Sequence, residues 1–136
     1  MNPSIFREYD IRGLAEQDFD KEFALLLGKV HGTSVMAAGG RRVAVGRDCR
    51  ATSDEYAEAV IACMTSAGLQ VYDVGVCPTP LLYFSLFHLD LDGGIQITAS
   101  HNPSEYNGFK ICFGKDTLYG EQIQKIRTRI ERKDFR

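Results

Sequence analysis

The chain contains no tryptophan, no long apolar run and no marked excess of either charge. Its hydrophobic stretches fall far short of the ~20 residues that a membrane helix needs. Sixteen lysines and arginines stand against eighteen aspartates and glutamates, a formal charge of -2. That balance gives no electrostatic attraction to nucleic acid or an anionic membrane. Met1 to Gly13 lacks the apolar centre of a secretory signal and carries charges soon after Phe6. A soluble, cytoplasmic protein is the expectation. None of the four cysteines, Cys49, Cys63, Cys77 and Cys112, stands in a C-x-x-C pair, and the three histidines do not cluster with them. They read as reduced, mostly packed thiols rather than a zinc site or a disulfide framework. A G-x-S-x-G elbow, a G-x-x-x-x-G-K-S/T phosphate loop and a G-x-G-x-x-G fingerprint are all missing. An α/β-hydrolase and a nucleotide cradle are therefore unsupported.

What is present suffices for one domain with a real core: 136 residues, 44% of them hydrophobic. Ile5 to Gly13 alternates apolar and polar residues and reads as an opening strand. Asp20 can cap a helix whose Phe23, Leu26, Leu27 and Val30 recur at helical spacing to about Met36, where Gly39-Gly40 stops it. Arg42 to Gly46 reads as a buried strand. Ser53 reads as the cap of a second helix, with Tyr56, Val60 and Cys63 on one face and Gly68 as its stop. Gln70 to Gly75 is the next strand. Thr79 caps a third helix, with Pro80 at its first position, running to about Leu86. Gly94 to Ala99 and Gly108 to Phe113 are two further strands. Ile123, Ile126 and Ile130 mark a charged final helix between Glu121 and Arg136.

This alternation predicts a three-layer α/β/α domain with a mixed, mostly parallel sheet of four to five strands. The last two strands must be antiparallel, because their loop is too short for a helical crossover. The loops after Val45, Val74 and Ala99 should share one sheet edge, outside the carboxyl ends of the strands, where ligands bind in such folds.

The chemistry concentrates between Gly93 and Ile111. A buried strand ends abruptly in Thr98-Ala99-Ser100-His101-Asn102-Pro103, and Asn107-Gly108 turns the chain back toward Lys110. A serine hydroxyl beside an imidazole, with an ammonium group at the same sheet edge, could host acyl or phosphoryl chemistry. An ordinary Ser-His-Asn-Pro turn is equally compatible with these residues. A serine hydrolase would need an acidic partner orienting His101, and no aspartate or glutamate is singled out by spacing.

The Ser100 run resembles the phosphoserine loop of the α-D-phosphohexomutases, the phosphoglucomutase/phosphomannomutase family. Gly93-Gly94-Ile95 before it and Tyr106-Asn107-Gly108-Phe109-Lys110 after it match too. Three further segments agree in order: Phe6 to Gly13, Val45 to Arg50, and Asp73-Val74-Gly75 with Pro78-Thr79-Pro80. Tyr9-Asp10-Ile11-Arg12-Gly13, with no glycine inserted after the aspartate, is similar to the phosphomannomutase/phosphoglucomutase branch rather than to the phosphoglucosamine mutases.

The resemblance implies a phosphosugar mutase in which Ser100 is phosphorylated. Ser100 would pass its phosphoryl group to a glucose or mannose phosphate and recover the other phosphate from a hexose 1,6-bisphosphate. It implies catalytic roles for Ser100, His101 and Lys110, and substrate contacts from Arg12, Tyr9 and Asn102. Mg2+ is implied as well, with phosphorylated Ser100 among its ligands. Arg47, Asp48 and Arg50 read instead as a structural ion-pair network, and His31 and His88 as chemically idle. Residues 1–136 correspond to the family's first domain. The metal loop, the sugar-reading loop and the distal phosphate loop of domains II–IV have no counterpart here, so a fragment inactive on its own is expected. The competing expectation is a stand-alone, non-catalytic binding module of the same fold.

Overall fold

Asp20 ends an extended segment and accepts a hydrogen bond from the Phe23 amide at 3.1 Å, so the first long helix, α1 (Lys21–Ala37), begins capped. In the computed structural model, which describes residues 2–135, three more helices follow. They are α2 (Ser53–Ser66), α3 (Thr79–His88) and α4 (Glu121–Glu131). The strands are β1 (Ile11–Leu14), β2 (Arg42–Arg47), β3 (Gln70–Val76), β4 (Gly93–Ile97), β5 (Tyr106–Phe113) and the short β6 (Asp116–Thr117). They form one sheet in the order β1-β5-β4-β2-β3, with β6 pairing β5.

Strand direction bears out the mixed sheet. β2 runs parallel to both β3 and β4, while β5 is antiparallel to β4, β1 and β6. β5 is thus the single reversed strand, as the short loop before it requires. β4, Gly93–Ile97, is buried at every residue, as a central strand covered on both faces should be.

The sheet separates two cores. On one face α1, α2 and α4 pack Phe23, Leu27, Val30, Tyr56, Val60, Ile123 and Ile126 against Val43, Val45, Ile95, Ile97, Phe109 and Ile111. Phe19, Phe23, Tyr56 and Phe109 meet there, with ring centroids 5.4–5.9 Å apart. On the other face α3 sets Leu82 and Leu86 over Ala44 and Cys112. Gly108 makes the join of β1 to β5 possible: a Cβ there would lie 2.3 Å from the Ile11 carbonyl oxygen.

Several boundaries differ from expectation. Ile5 to Gly13 is not one strand. Pro3–Ile5 forms a 3-10 turn, the Arg7 amide donates to the Asp10 carbonyl at 2.9 Å, and only Ile11–Leu14 joins the sheet. Ile5 and Phe6 are both buried, so the alternation fails at its first step. Thr52, not Ser53, takes the N-cap position of α2, and the Ser53 hydroxyl donates to Asp48 instead. Pro78 caps α3, which moves Thr79 and Pro80 one place into the helix. Met64 rather than Cys63 completes the buried face of α2. α4 stops at Glu131, and Arg136 lies outside the described residues. The sixth strand, two residues long, was too short to carry a periodic signal.

Cys77 and Cys112 are buried and Cys63 is half-buried; burial raises the thiol pKa of all three, to about 11 at Cys112. They are packing groups. His31 is also buried, with its Nε2 donating to the Cys112 carbonyl at 2.8 Å. Burial pushes its pKa below the usual 6.5, against the pull of that carbonyl.

Phe109→Ala should lower stability by about 3–5 kcal/mol, read as a shift in urea midpoint. The folded state keeps His31 neutral while the unfolded chain takes up a proton near pH 6.5. Its contribution is therefore complete above about pH 6.5 and is lost as pH falls below that value. The urea midpoint should decline in that window, and His31→Gln, which retains a donor, should flatten the decline.

Candidate active site

The loops after β2, β3 and β4 emerge at one edge of the sheet, because those three strands are parallel. The loop after β4 carries Ser100, which is exposed and has φ of 54°. A non-glycine residue in the left-handed region is held there by its surroundings. Here the hold is extensive. The Ser100 amide donates to Thr98 Oγ1 at 3.0 Å, and the Ser100 carbonyl accepts from Arg50 Nη2 at 3.0 Å. Arg50 also donates to the carbonyls of Asn102 at 2.8 Å, Pro103 at 2.7 Å and Tyr106 at 3.1 Å.

Arg50 is anchored in turn by Asp48, which accepts from its Nε at 3.0 Å and from its amide at 3.1 Å. The same carboxylate accepts from Thr98 Oγ1 at 2.7 Å and Ser53 Oγ at 2.6 Å. Burial works to raise the Asp48 pKa, but the hydrogen bonds from Ser53, Thr98 and Arg50 outweigh it and hold the carboxyl below its usual range. Arg47 lies apart from this group, pairing with Asp54 at 2.5 Å and Asp73 at 3.3 Å.

A second group of charges faces the serine side chain. Arg12, on β1, donates to Asn102 Oδ1 and to Asp10 Oδ2, each at 2.5 Å, and its Nη2 lies 3.5 Å from Ser100 Oγ. Lys110 Nζ reaches the same Asp10 oxygen at 3.2 Å. Asp10 is 5% exposed. One buried carboxylate against two cations leaves the site with a single net positive charge, turned toward an exposed hydroxyl. The buried Arg12 Nε has no acceptor among the described residues.

The structure thus brings together Ser100, Asn102 and Arg12, and joins Lys110 to them through Asp10. β5 lies between β1 and β4, so Lys110 stands on an interior strand of the sheet. His101 is exposed and makes no hydrogen bond or ion pair among the described residues. Tyr9 is 67% exposed, its ring outside the core. Sequence reasoning missed Asp10, although its spacing of two from Arg12 was a usable signal: alternate residues of an extended segment share a side. The expected ion-pair network of Arg47, Asp48 and Arg50 holds for Asp48 with Arg50, while Arg47 pairs elsewhere, and the reach of Arg50 to the Ser100 loop was not foreseen. Among the described residues no three carboxylate, histidine or thiol donors converge on a metal position. These residues do not by themselves fit a magnesium site.

Fold and site define a three-layer α/β/α domain that presents a serine, on a strained loop, to paired cations. The family model described as "Phosphoglucomutase/phosphomannomutase, alpha/beta/alpha domain I" matches residues 3–136, and the chain belongs to this family. It is 45% identical over 132 residues to a phosphomannomutase/phosphoglucomutase of Pseudomonas aeruginosa, covering 97% of this chain and 28% of that protein. It is 41% identical over 131 residues to a phosphoglucomutase of Neisseria meningitidis serogroup B, covering 96% and 28%. A crystal structure of a phosphoglucomutase/phosphomannomutase family protein from Burkholderia thailandensis superposes with a TM-score of 0.91 at 38% identity, over 99% of this chain and 31% of that one. The chain therefore spans less than a third of the length of these relatives.

Asp10→Ala would leave Arg12 and Lys110 facing each other without their shared acceptor. A loss of about 2–3 kcal/mol is expected, since removing one partner strands the others partly buried. Sulfate should restore part of it in a urea titration.

Proposed function

We propose that this chain is the phosphoryl-carrying domain of a hexose-phosphate mutase, with Ser100 as the carrier. The observation that carries the reading is the 3.5 Å approach of Arg12 Nη2 to an exposed Ser100 Oγ, beside Lys110 and Asp10. A phosphoryl group on Ser100 brings nearly two negative charges. The single net positive charge already facing the hydroxyl, and the unpartnered Arg12 Nε, suit that anion better than they suit a neutral serine.

In the reaction the Ser100 Oγ–P bond breaks as a hydroxyl oxygen of glucose or mannose phosphate bonds to phosphorus. The proton of that hydroxyl passes to His101, whose imidazole stands exposed next to the serine, and from His101 to the departing Ser100 Oγ. The product of this half is a hexose 1,6-bisphosphate. In the second half the bond between the other phosphoryl group and its sugar oxygen breaks as Ser100 Oγ bonds to phosphorus, the serine proton passing through His101 to that sugar oxygen and leaving the isomeric monophosphate. Phosphoryl transfer of this kind depends chiefly on alignment and charge neutralisation, and Arg12 and Lys110 supply both. Asn102 holds Arg12, and Tyr9 offers an exposed ring and hydroxyl to the sugar. Mg2+ would add charge neutralisation at the same phosphate. Relatives more than three times as long as this chain support the view that further domains complete the sugar pocket and the metal donor set, and that these 136 residues turn over no substrate alone. Such a mutase would work in the cytoplasm.

Incubation of the full-length protein with glucose 1,6-bisphosphate and magnesium should give one phosphate adduct, mapped by peptide mass to Ser100. Ser100→Ala should abolish the adduct and lower mutase turnover at least about 10³-fold. A wild-type protein that turns over substrate with Ser100 unmodified throughout would overturn the reading.

A further inference from the structure

Both peptide groups that flank the Ser100 Cα are tied to one oxygen atom of another loop. Asp48 Oδ2 accepts from Thr98 Oγ1 at 2.7 Å, and Thr98 Oγ1 accepts from the Ser100 amide at 3.0 Å. The same Oδ2 accepts from Arg50 Nε at 3.0 Å, and Arg50 Nη2 donates to the Ser100 carbonyl at 3.0 Å. The bonds close a ring around the residue whose φ is 54°. Arg50 has five N–H donors on its guanidinium, and all five are engaged: one by Asp48 and four by loop carbonyls. Its charge is balanced by Asp48 and its donors are spent, so Arg50 has nothing left to offer a phosphate.

Resting on the reading of Ser100 as phosphoryl carrier, we infer that Arg50, braced by Asp48 and Thr98, is a positioning residue for that serine. It fixes the left-handed backbone that turns Oγ toward Arg12, while Arg12 and Lys110, rather than Arg50, are the side-chain cations that meet the phosphate. The need for such a brace is visible in the loop. His101, Pro103, Ser104 and Glu105 are exposed, so apolar packing does little to hold it. The backbone bonds within it are few, Asn102 N to Ala99 O at 3.1 Å and Tyr106 N to Pro103 O at 3.0 Å. A lysine could not substitute for Arg50, because one ammonium cannot reach four carbonyls and a carboxylate in a fixed plane.

The test uses the full-length protein with Arg50→Lys and, as a smaller change at the other side of the ring, Thr98→Val. The rate at which Ser100 takes phosphate from glucose 1,6-bisphosphate in a single turnover is measured together with kcat, KM and Tm. A misplacement of about 1 Å can cost 10²-fold in rate. Arg50→Lys should therefore slow loading and kcat about 10²-fold, and Thr98→Val about 10-fold, with KM for the sugar phosphate within about 3-fold of wild type. Retained cooperative unfolding would show that the loss lies in alignment. Loading of Arg50→Lys at the wild-type rate overturns the inference and leaves the carrier reading intact. A raised KM at unchanged kcat also overturns it, by making Arg50 a phosphate ligand. Loss of the fold in both variants assigns the ring to stability and overturns it too. A wild-type protein that never takes phosphate on Ser100 removes the carrier reading, and the inference with it.

Discussion

One carboxylate oxygen, Asp48 Oδ2, holds the Ser100 backbone from both sides, through Thr98 and through Arg50. Everything about the site depends on that constraint. Without it the left-handed geometry of Ser100 keeps little beyond the Asn102 N to Ala99 O bond, since the loop ahead is polar and exposed. With it the serine stands at a fixed point outside the carboxyl ends of β2 and β4, two neighbouring strands that run parallel. The fold supplies the pairing that brings Asp48 and Thr98 together: Arg47 lies opposite Ile97 in the register, so the residues that follow them emerge side by side.

The charges divide into two groups with different tasks. Asp48 and Arg50 neutralise each other and act on the backbone. Asp10, Arg12 and Lys110 leave one positive charge and act on whatever sits at Ser100 Oγ. This separation leaves Arg50, a basic residue close to the serine, with all its guanidinium donors engaged by Asp48 and loop carbonyls. It also gives Asp10 a purpose: a buried carboxylate between two cations keeps them near each other while no phosphate is present. The divided arrangement is compatible with the carrier role proposed above for this domain of the phosphoglucomutase/phosphomannomutase family.

Helices α1 and α4 were legible in the sequence because each carries a periodic apolar pattern long enough to read, Phe23 to Val30 for α1 and Ile123, Ile126 and Ile130 for α4, while α3 was marked by Thr79-Pro80 and the central strands by short apolar runs. The errors fall where that signal is short or where a polar side chain has competing partners. Ser53 looks like a helix cap until Asp48 offers it a stronger acceptor. Ile5 and Phe6 look like the start of an alternation until both are buried by the α1 side of the core. β6 has two residues and no pattern at all.

The sequence by itself determined the class of fold, the single reversed strand and the loop that carries the candidate serine. These follow from local spacing and from the family resemblance of a contiguous run of residues. The partnership of that loop with Arg12, 88 positions away, and with Arg50, 50 positions away, was decided only by the tertiary structure. Sequence spacing pairs β4 with β5 across their short loop but carries no information on which strands distant in the chain become neighbours. The sheet order β1-β5-β4-β2 places β1 and β2 on opposite sides of the β4–β5 pair. That order brings Arg12 to one flank of Ser100 and the Asp48–Arg50 pair to the other.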